Sequence, residues 1–123
     1  MKESIEIVHH RGVKIIDSDY SGLTGEPLNV CIQQHNNEIW ELITLGEKNI
    51  RFYTDVTNTI ADRDTVKIFK ETSKKHEPYT KKSAVVGVVG IQKVLLQAVN
   101  LFSDLKTVPF TTRDEAMDWL SQD

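Results

Sequence analysis

Residues 82–102 read KSAVVGVVGIQKVLLQAVNLF, and this stretch decides the fold class. Its first part, residues 84–89 (Ala-Val-Val-Gly-Val-Val), is an almost unbroken β-branched run. A strand without polar alternation suits a position covered on both faces, as in a mostly parallel sheet with helices packed against it. At Ile91 the period changes. Ile91, Val94, Leu95, Ala98, Val99 and Phe102 share one helical face, and Gly90 is the flexible junction between the two elements. The spacing predicts a strand over 84–89, with Val86 and Val88 both buried, and a helix over 91–102.

Upstream of this stretch, residues 4–9 alternate polar and apolar side chains, as an edge strand with one exposed side does. Arg11-Gly12 turns the chain, and so short a connection pairs residues 13–17 with the first strand as an antiparallel hairpin. Residues 17–25 read as a loop, because Asp17-Ser18-Asp19-Tyr20-Ser21-Gly22 is dense in side chains that bond neighbouring backbone. Pro27 suits the first turn of a helix, and Leu28, Cys31, Ile32, His35, Ile39, Leu42 and Ile43 form one stripe that runs to about Leu45. Residues 49–55 form a third strand. Thr59 or Asp62 caps a second helix whose inner row is Val66, Phe69 and Ser73, and Pro78 ends it.

Downstream, residues 106–110 make a short last strand, and Thr112-Arg-Asp-Glu115 is a capping box that opens a helix with Ala116, Trp119 and Leu120 inward. The order β-β-α-β-α-β-α-β-α predicts one domain over residues 1–123. Its class is α/β: an open five-stranded mixed sheet, mostly parallel, packed with four principal helices.

The bulk composition narrows function. A single Cys31 among 123 residues leaves no internal disulfide and fits a reducing compartment, with the thiol filling the core. The amino-terminal residues lack the apolar block of a secretory signal, and no run approaches the roughly 18 apolar residues of a membrane span. The expected location is cytoplasmic. A net charge of −3 from interleaved acids and bases argues against a nucleic-acid partner held by a general positive field.

The element order resembles the STAS superfamily when taken with residues 82–90 (KSAVVGVVG) and 112–120 (TRDEAMDWL). Supporting stretches are Asp19-Tyr20-Ser21-Gly22-Leu23, Tyr53-Thr54-Asp55-Val56-Thr57 and His76-Glu77-Pro78-Tyr79. The resemblance is closer to the SpoIIAA-like (STAS/Sec14-like) branch of small bacterial proteins and covers nearly the whole chain. It implies a SpoIIAA-like fold and a binding or regulatory module, with an unidentified protein partner or a small ligand. The anti-sigma-factor antagonists of the superfamily carry Asp-Ser-Ser-Gly at the start of the second helix, where a serine is phosphorylated. Here the region reads Ala61-Asp62-Arg63-Asp64, so a carboxylate stands in that place and the nearest hydroxyls are Thr57 and Thr59. No hydroxyl is expected to act as the switch.

Ligands of open α/β sheets bind beyond the carboxyl ends of the strands. That places the expected ligand-binding residues at Asp55, Thr57 and Asn58 after the third strand, and at Gly90 and Ile91 after the fourth. A helix amino terminus there favours an anionic or carbonyl group, and Val94 and Phe102 offer an apolar floor, so the expected ligand is small and apolar or anionic, lipid-like. The same residue types also cap helices for local reasons.

The competing expectation is a small enzyme using Asp17, Asp19 and Asp55 for acid–base work, which requires carboxylates gathered in a concave site. A third is a homodimer built on an exposed apolar helix face. Neither a cofactor nor a metal is expected: His9 and His10 point to opposite faces of a strand, and the spacing of Gly87 and Gly90 matches no phosphate loop. Lys70, Lys74, Lys75, Lys81 and Lys82 read as a solvated helix end, or as weak attraction to an acidic partner or membrane surface. Tyr20, Tyr53, Tyr79 and Phe102 are candidates for partial exposure near the strand ends, although buried aromatics are commoner than recognition aromatics.

Overall fold

The computed structural model describes residues 3–89 and 107–123. Strand β1 (Glu6–His10), strand β2 (Val13–Asp19), helix α1 (Gly25–Thr44), strand β3 (Ile50–Asp55), helix α2 (Arg63–His76), strand β4 (Thr80–Val86), strand β5 (Thr107–Phe110) and helix α3 (Arg113–Leu120) follow in that order. The sheet order is β1-β2-β3-β4-β5. β1 and β2 pair antiparallel, and every later pair is parallel. Arg11 and Gly12 both take positive φ, 53° and 77°, which matches the twist a two-residue hairpin needs. Three α-helices lie within the described residues; the helix expected over 91–102, with Gly90 and Ile91, falls outside them.

Two strands differ from expectation at their ends. β2 runs on to Asp19 because Asp17, Ser18 and Asp19 pair with Tyr53, Thr54 and Asp55, so backbone that reads locally as a turn is satisfied by the parallel ladder. β4 spans Thr80–Val86 rather than 84–89. It stops where Gly87 adopts φ +86°, packed so closely on Thr57 that a Cβ would stand 2.4 Å from its Oγ1 and 2.6 Å from its Cα. Val86 is buried as expected, whereas Val88 is half-buried beyond the strand and Val89 is exposed.

The register divides the sheet into two faces. Ile15, Tyr53, Ala84 and Val86 share one face and form a core with Ala116, Met117 and Leu120 of α3. Ile16 and Phe52 are on the other, packed with Ile39 and Ile43 of α1. A third cluster joins Tyr20 to Leu28, Cys31 and Ile32, with Ile68 and Phe69 of α2 against it. The stripe of α1 is therefore the one the spacing gives. Of the tyrosines at the strand ends, Tyr20 and Tyr53 follow the commoner pattern of burial, 4% and 2% exposed, because both enter these clusters.

Helix α3 has no basic residue in its last turn. The cations that meet its terminal carbonyls come from the strands instead: Arg51 Nη1 donates to the Leu120 carbonyl and, at 3.0 Å, to that of Gln122, and Lys82 Nζ donates to Trp119 at 2.7 Å.

Candidate functional site

A strand's side chains alternate between faces, so Ser18, Thr54, Ser83 and Val85 point away from α3 and toward α1 and α2. Between that face and the two helices lies a cavity of about 160 Å³. The sheet contributes Ser18, Phe52, Thr54, Ser83, Val85 and Thr107; α1 contributes Asn36 and Ile39; α2 contributes Val66, Phe69, Thr72, Ser73 and His76. Val56, Thr59 and Val88 line the end nearest the carboxyl termini of β3 and β4. The inner row of α2 thus faces a space it does not fill, since Ser and Thr on both walls are shorter than the aliphatic side chains a packed interface would use.

Several polar groups in this wall are tied to one another. Asn36 Nδ2 donates to Thr72 Oγ1 at 2.5 Å, Thr107 Oγ1 to Ser83 Oγ at 3.1 Å, and Thr80 Oγ1 to the His76 carbonyl at 2.8 Å. The His76 ring is 5% exposed and lies nearly parallel to Phe52 and Trp40, with centroids 6.1 and 6.3 Å away. Burial, helped by the neighbouring Lys75 charge, pulls its imidazole down to about 4, so it is neutral at pH 7.

Asp55, Thr57 and Asn58 come together in a tight turn. Asp55 Oδ1 accepts from Thr57 N at 2.8 Å, Thr59 N bonds back to the Val56 carbonyl, and Asn58 takes φ 57°. The turn is held by Tyr20 N on the Asp55 carbonyl and Gly22 N on the Thr57 carbonyl, both at 2.9 Å. None of these three side chains lines the cavity, whereas their neighbours Thr54, Val56 and Thr59 do. The other two expected site residues, Gly90 and Ile91, lie outside the described residues.

Asp17, Asp19 and Asp55 do share one sheet face, but it is the α3 face, opposite the cavity. Each is engaged locally. Asp17 is 8% exposed and pairs at 2.8 Å with Arg113 Nη1, whose guanidinium lies 4.8 Å over the Tyr53 ring. Asp19 Oδ1 accepts from Ser21 N at 2.9 Å and from its hydroxyl at 2.6 Å. Burial raises the Asp19 carboxyl, and these bonds outweigh it and leave it below the ordinary value.

Among the described residues no group of three or more His, Cys, Asp or Glu side chains is arranged to hold a metal ion. His9 is exposed, while His10 Nε2 lies 2.8 Å from Asp118 Oδ1. Cys31 sits 3.5 Å from His35 Nε2 inside the core, where burial pushes the thiol up and away from thiolate chemistry. Of the lysines read as a solvated helix end or a weak patch, Lys75 lies 4.1 Å over Trp40, Lys82 4.5 Å over Trp119, and Lys81 pairs with Asp123.

Sequence reasoning missed Ser18, Thr54, Ser83 and His76 as site residues. The signal was present in the phase: each of these strand hydroxyls stands two residues from a buried apolar side chain on the same face, Ser18 from Ile16, Thr54 from Phe52 and Ser83 from Val85.

No family model matches the chain, and no curated protein matches it. Among solved structures it is similar to an uncharacterized protein of the DUF3478 family with a SpoIIAA-like fold from Shewanella loihica PV-4. The two are 22% identical over 94% of this chain and 91% of that one, with a TM-score of 0.71. At that identity the likeness shows the fold alone, and the fold of this chain is SpoIIAA-like, as its motifs implied.

Proposed function

We propose that this SpoIIAA-like domain is a non-catalytic binding module that takes a small, largely apolar ligand into the cavity between the sheet and helices α1 and α2. The observation that carries this reading is the cavity itself, about 160 Å³ and walled mainly by apolar carbon. Dry cavities of about that size hold a benzene-sized molecule. The carboxylates that an acid–base mechanism would draw on are spent on Arg113, Ser21 and Thr57 across the sheet. One end of the cavity, at Val56, Thr59 and Val88, is next to the turn of Asp55, Thr57 and Asn58, so the ligand lies by the carboxyl ends of β3 and β4.

Native mass spectrometry of the protein purified from its own cells tests the proposal. A retained small mass is expected, and Ser73→Leu, which projects a larger side chain into the space, should lose it while keeping the far-ultraviolet spectrum. A bare polypeptide mass, with no thermal shift across a panel of small apolar compounds, overturns the reading.

A protein partner is favoured by one observation. Val30 is 56% exposed on the surface that also carries Ile68, Asp62 and Asp64, and Ile60, two residues before Asp62, is 69% exposed. The simplest such partner is a second copy of the chain, which sedimentation velocity at several concentrations checks; a monomer throughout excludes it.

A further inference from the structure

We infer that the ligand is uncharged, an alcohol, amide or carbonyl compound on an apolar body of about benzene size, recognised by the hydroxyl-bearing floor of the cavity. The inference rests on the reading of the cavity as a binding site and adds the class of ligand.

In a parallel sheet covered on both sides, inward positions are normally Val, Ile or Leu. On the α3 face the core positions are Ile15, Tyr53, Ala84 and Val86, with the buried Asp17 beside them paired to Arg113. On the cavity face Ile16, Phe52 and Val85 share the surface with hydroxyls, the register setting Ser18 beside Thr54 and Ser83 beside Thr107. Ser18 and Ser83 are 4% and 7% exposed. Hydroxyls in such a place are unfavourable unless they have partners, and part of that need is met within the wall, as Thr107 on Ser83 shows.

A hydroxyl both donates and accepts, so this floor matches a neutral polar group and does not neutralise a full charge. His76 completes the match, because burial and the Lys75 charge keep its ring neutral at pH 7. The Lys75 ammonium lies over the Trp40 ring, and neither residue is among those lining the cavity. Among the described residues lining the cavity, none is Asp, Glu, Lys or Arg. A carboxylate or ammonium entering it loses its water and gains no counter-charge from these residues.

An isosteric series at pH 7 tests this: benzyl alcohol, benzamide, toluene, benzoate and benzylamine, titrated against the full chain with the Thr54 and Val85 methyl resonances as readout. Benzyl alcohol and benzamide should bind at least tenfold more tightly than benzoate or benzylamine. Thr54→Val, nearly isosteric, should reduce the preference for benzyl alcohol over toluene by about fivefold, the loss of roughly one hydrogen bond, and Thr54→Ser should restore it. Benzoate or benzylamine binding as tightly as the alcohol overturns the inference while leaving the cavity a binding site. An alcohol preference unchanged in Thr54→Val overturns the role of the floor. Unmoved methyl resonances with every probe overturn both the inference and the reading it rests on.

Discussion

Gly87 and Thr57 together decide where β4 ends. The glycine takes φ +86°, and a Cβ there would stand 2.4 to 2.6 Å from the Thr57 hydroxyl, amide nitrogen and Cα. Two of those three atoms are backbone and cannot rotate away. Gly87→Ala should therefore cost about 3 kcal/mol, combining left-handed strain with displacement of the β3 turn. Urea midpoints check it, and an unchanged midpoint would mean that the turn yields freely. Nothing in the run of valines shows this contact, because it depends on a residue 30 positions earlier; a glycine among β-branched residues reads as continuing strand. Arg51 is the opposite case. It is 9% exposed and donates to the carbonyls of Leu120, the last residue of α3, and Gln122, and to Asp123 Oδ1. Arg51→Met keeps the stem and removes the donors, so a loss of about 2 kcal/mol is expected. Equal midpoints for the variant and the parent chain would show those carbonyls are as well served by water.

The elements that were legible are those whose signal is repeated or local. Helix α1 follows from a stripe of seven residues, and the caps follow from chemistry within one turn: Asp62 Oδ1 accepts from Thr65 N at 2.9 Å, and Thr112 Oγ1 from Glu115 N at 3.2 Å. Thr112→Ala should lower stability by about 1 kcal/mol, and a thermal midpoint that does not move would show α3 held entirely by its packing on Tyr53 and Ala84. What was not legible is set by partners distant in sequence. β2 gains its last residues from pairing with β3, and the cavity exists only because α2 lies over β3 and β4 with small side chains on both walls. The start of α2 bears on regulation as well. Asp62 is engaged as the cap, and the Thr59 hydroxyl is buried on the Val56 carbonyl. Mass spectrometry of the protein from growing cells is expected to find Thr57 and Thr59 without phosphate, and substantial modification of either would reverse this.

The sheet separates charge from apolar space: carboxylates and their cations gather on the α3 side and at the ends, while the α1–α2 side holds a neutral histidine among aromatic rings. This separation gives stability two distinct dependences on pH. Above about 6.5 the His76 imidazole is neutral in both the folded and the unfolded chain. Between about 6.5 and about 4 the unfolded chain takes up the proton and the folded one, with its value lowered to about 4, does not. The stability that neutral His76 contributes is therefore full above 6.5 and falls with acidification, by at most about 1.4 kcal/mol per pH unit. The carboxylates act lower. Bonds from Thr65, His10 and Arg51 respectively hold Asp62, Asp118 and Asp123 below the ordinary carboxyl value. Their contribution is present above about 4 and is lost as pH falls through the lowered folded values. His76→Phe keeps a flat ring between Phe52 and Trp40 and removes the titration. Urea midpoints at pH 4.5, 5.5, 6.5 and 7.5 should fall with acidification in the parent chain and stay nearly level in the variant, with both declining together below pH 4. Parallel slopes through the upper range would mean that the proton reaches His76 in the folded protein, and that the ring is less sealed from water than its stacking indicates.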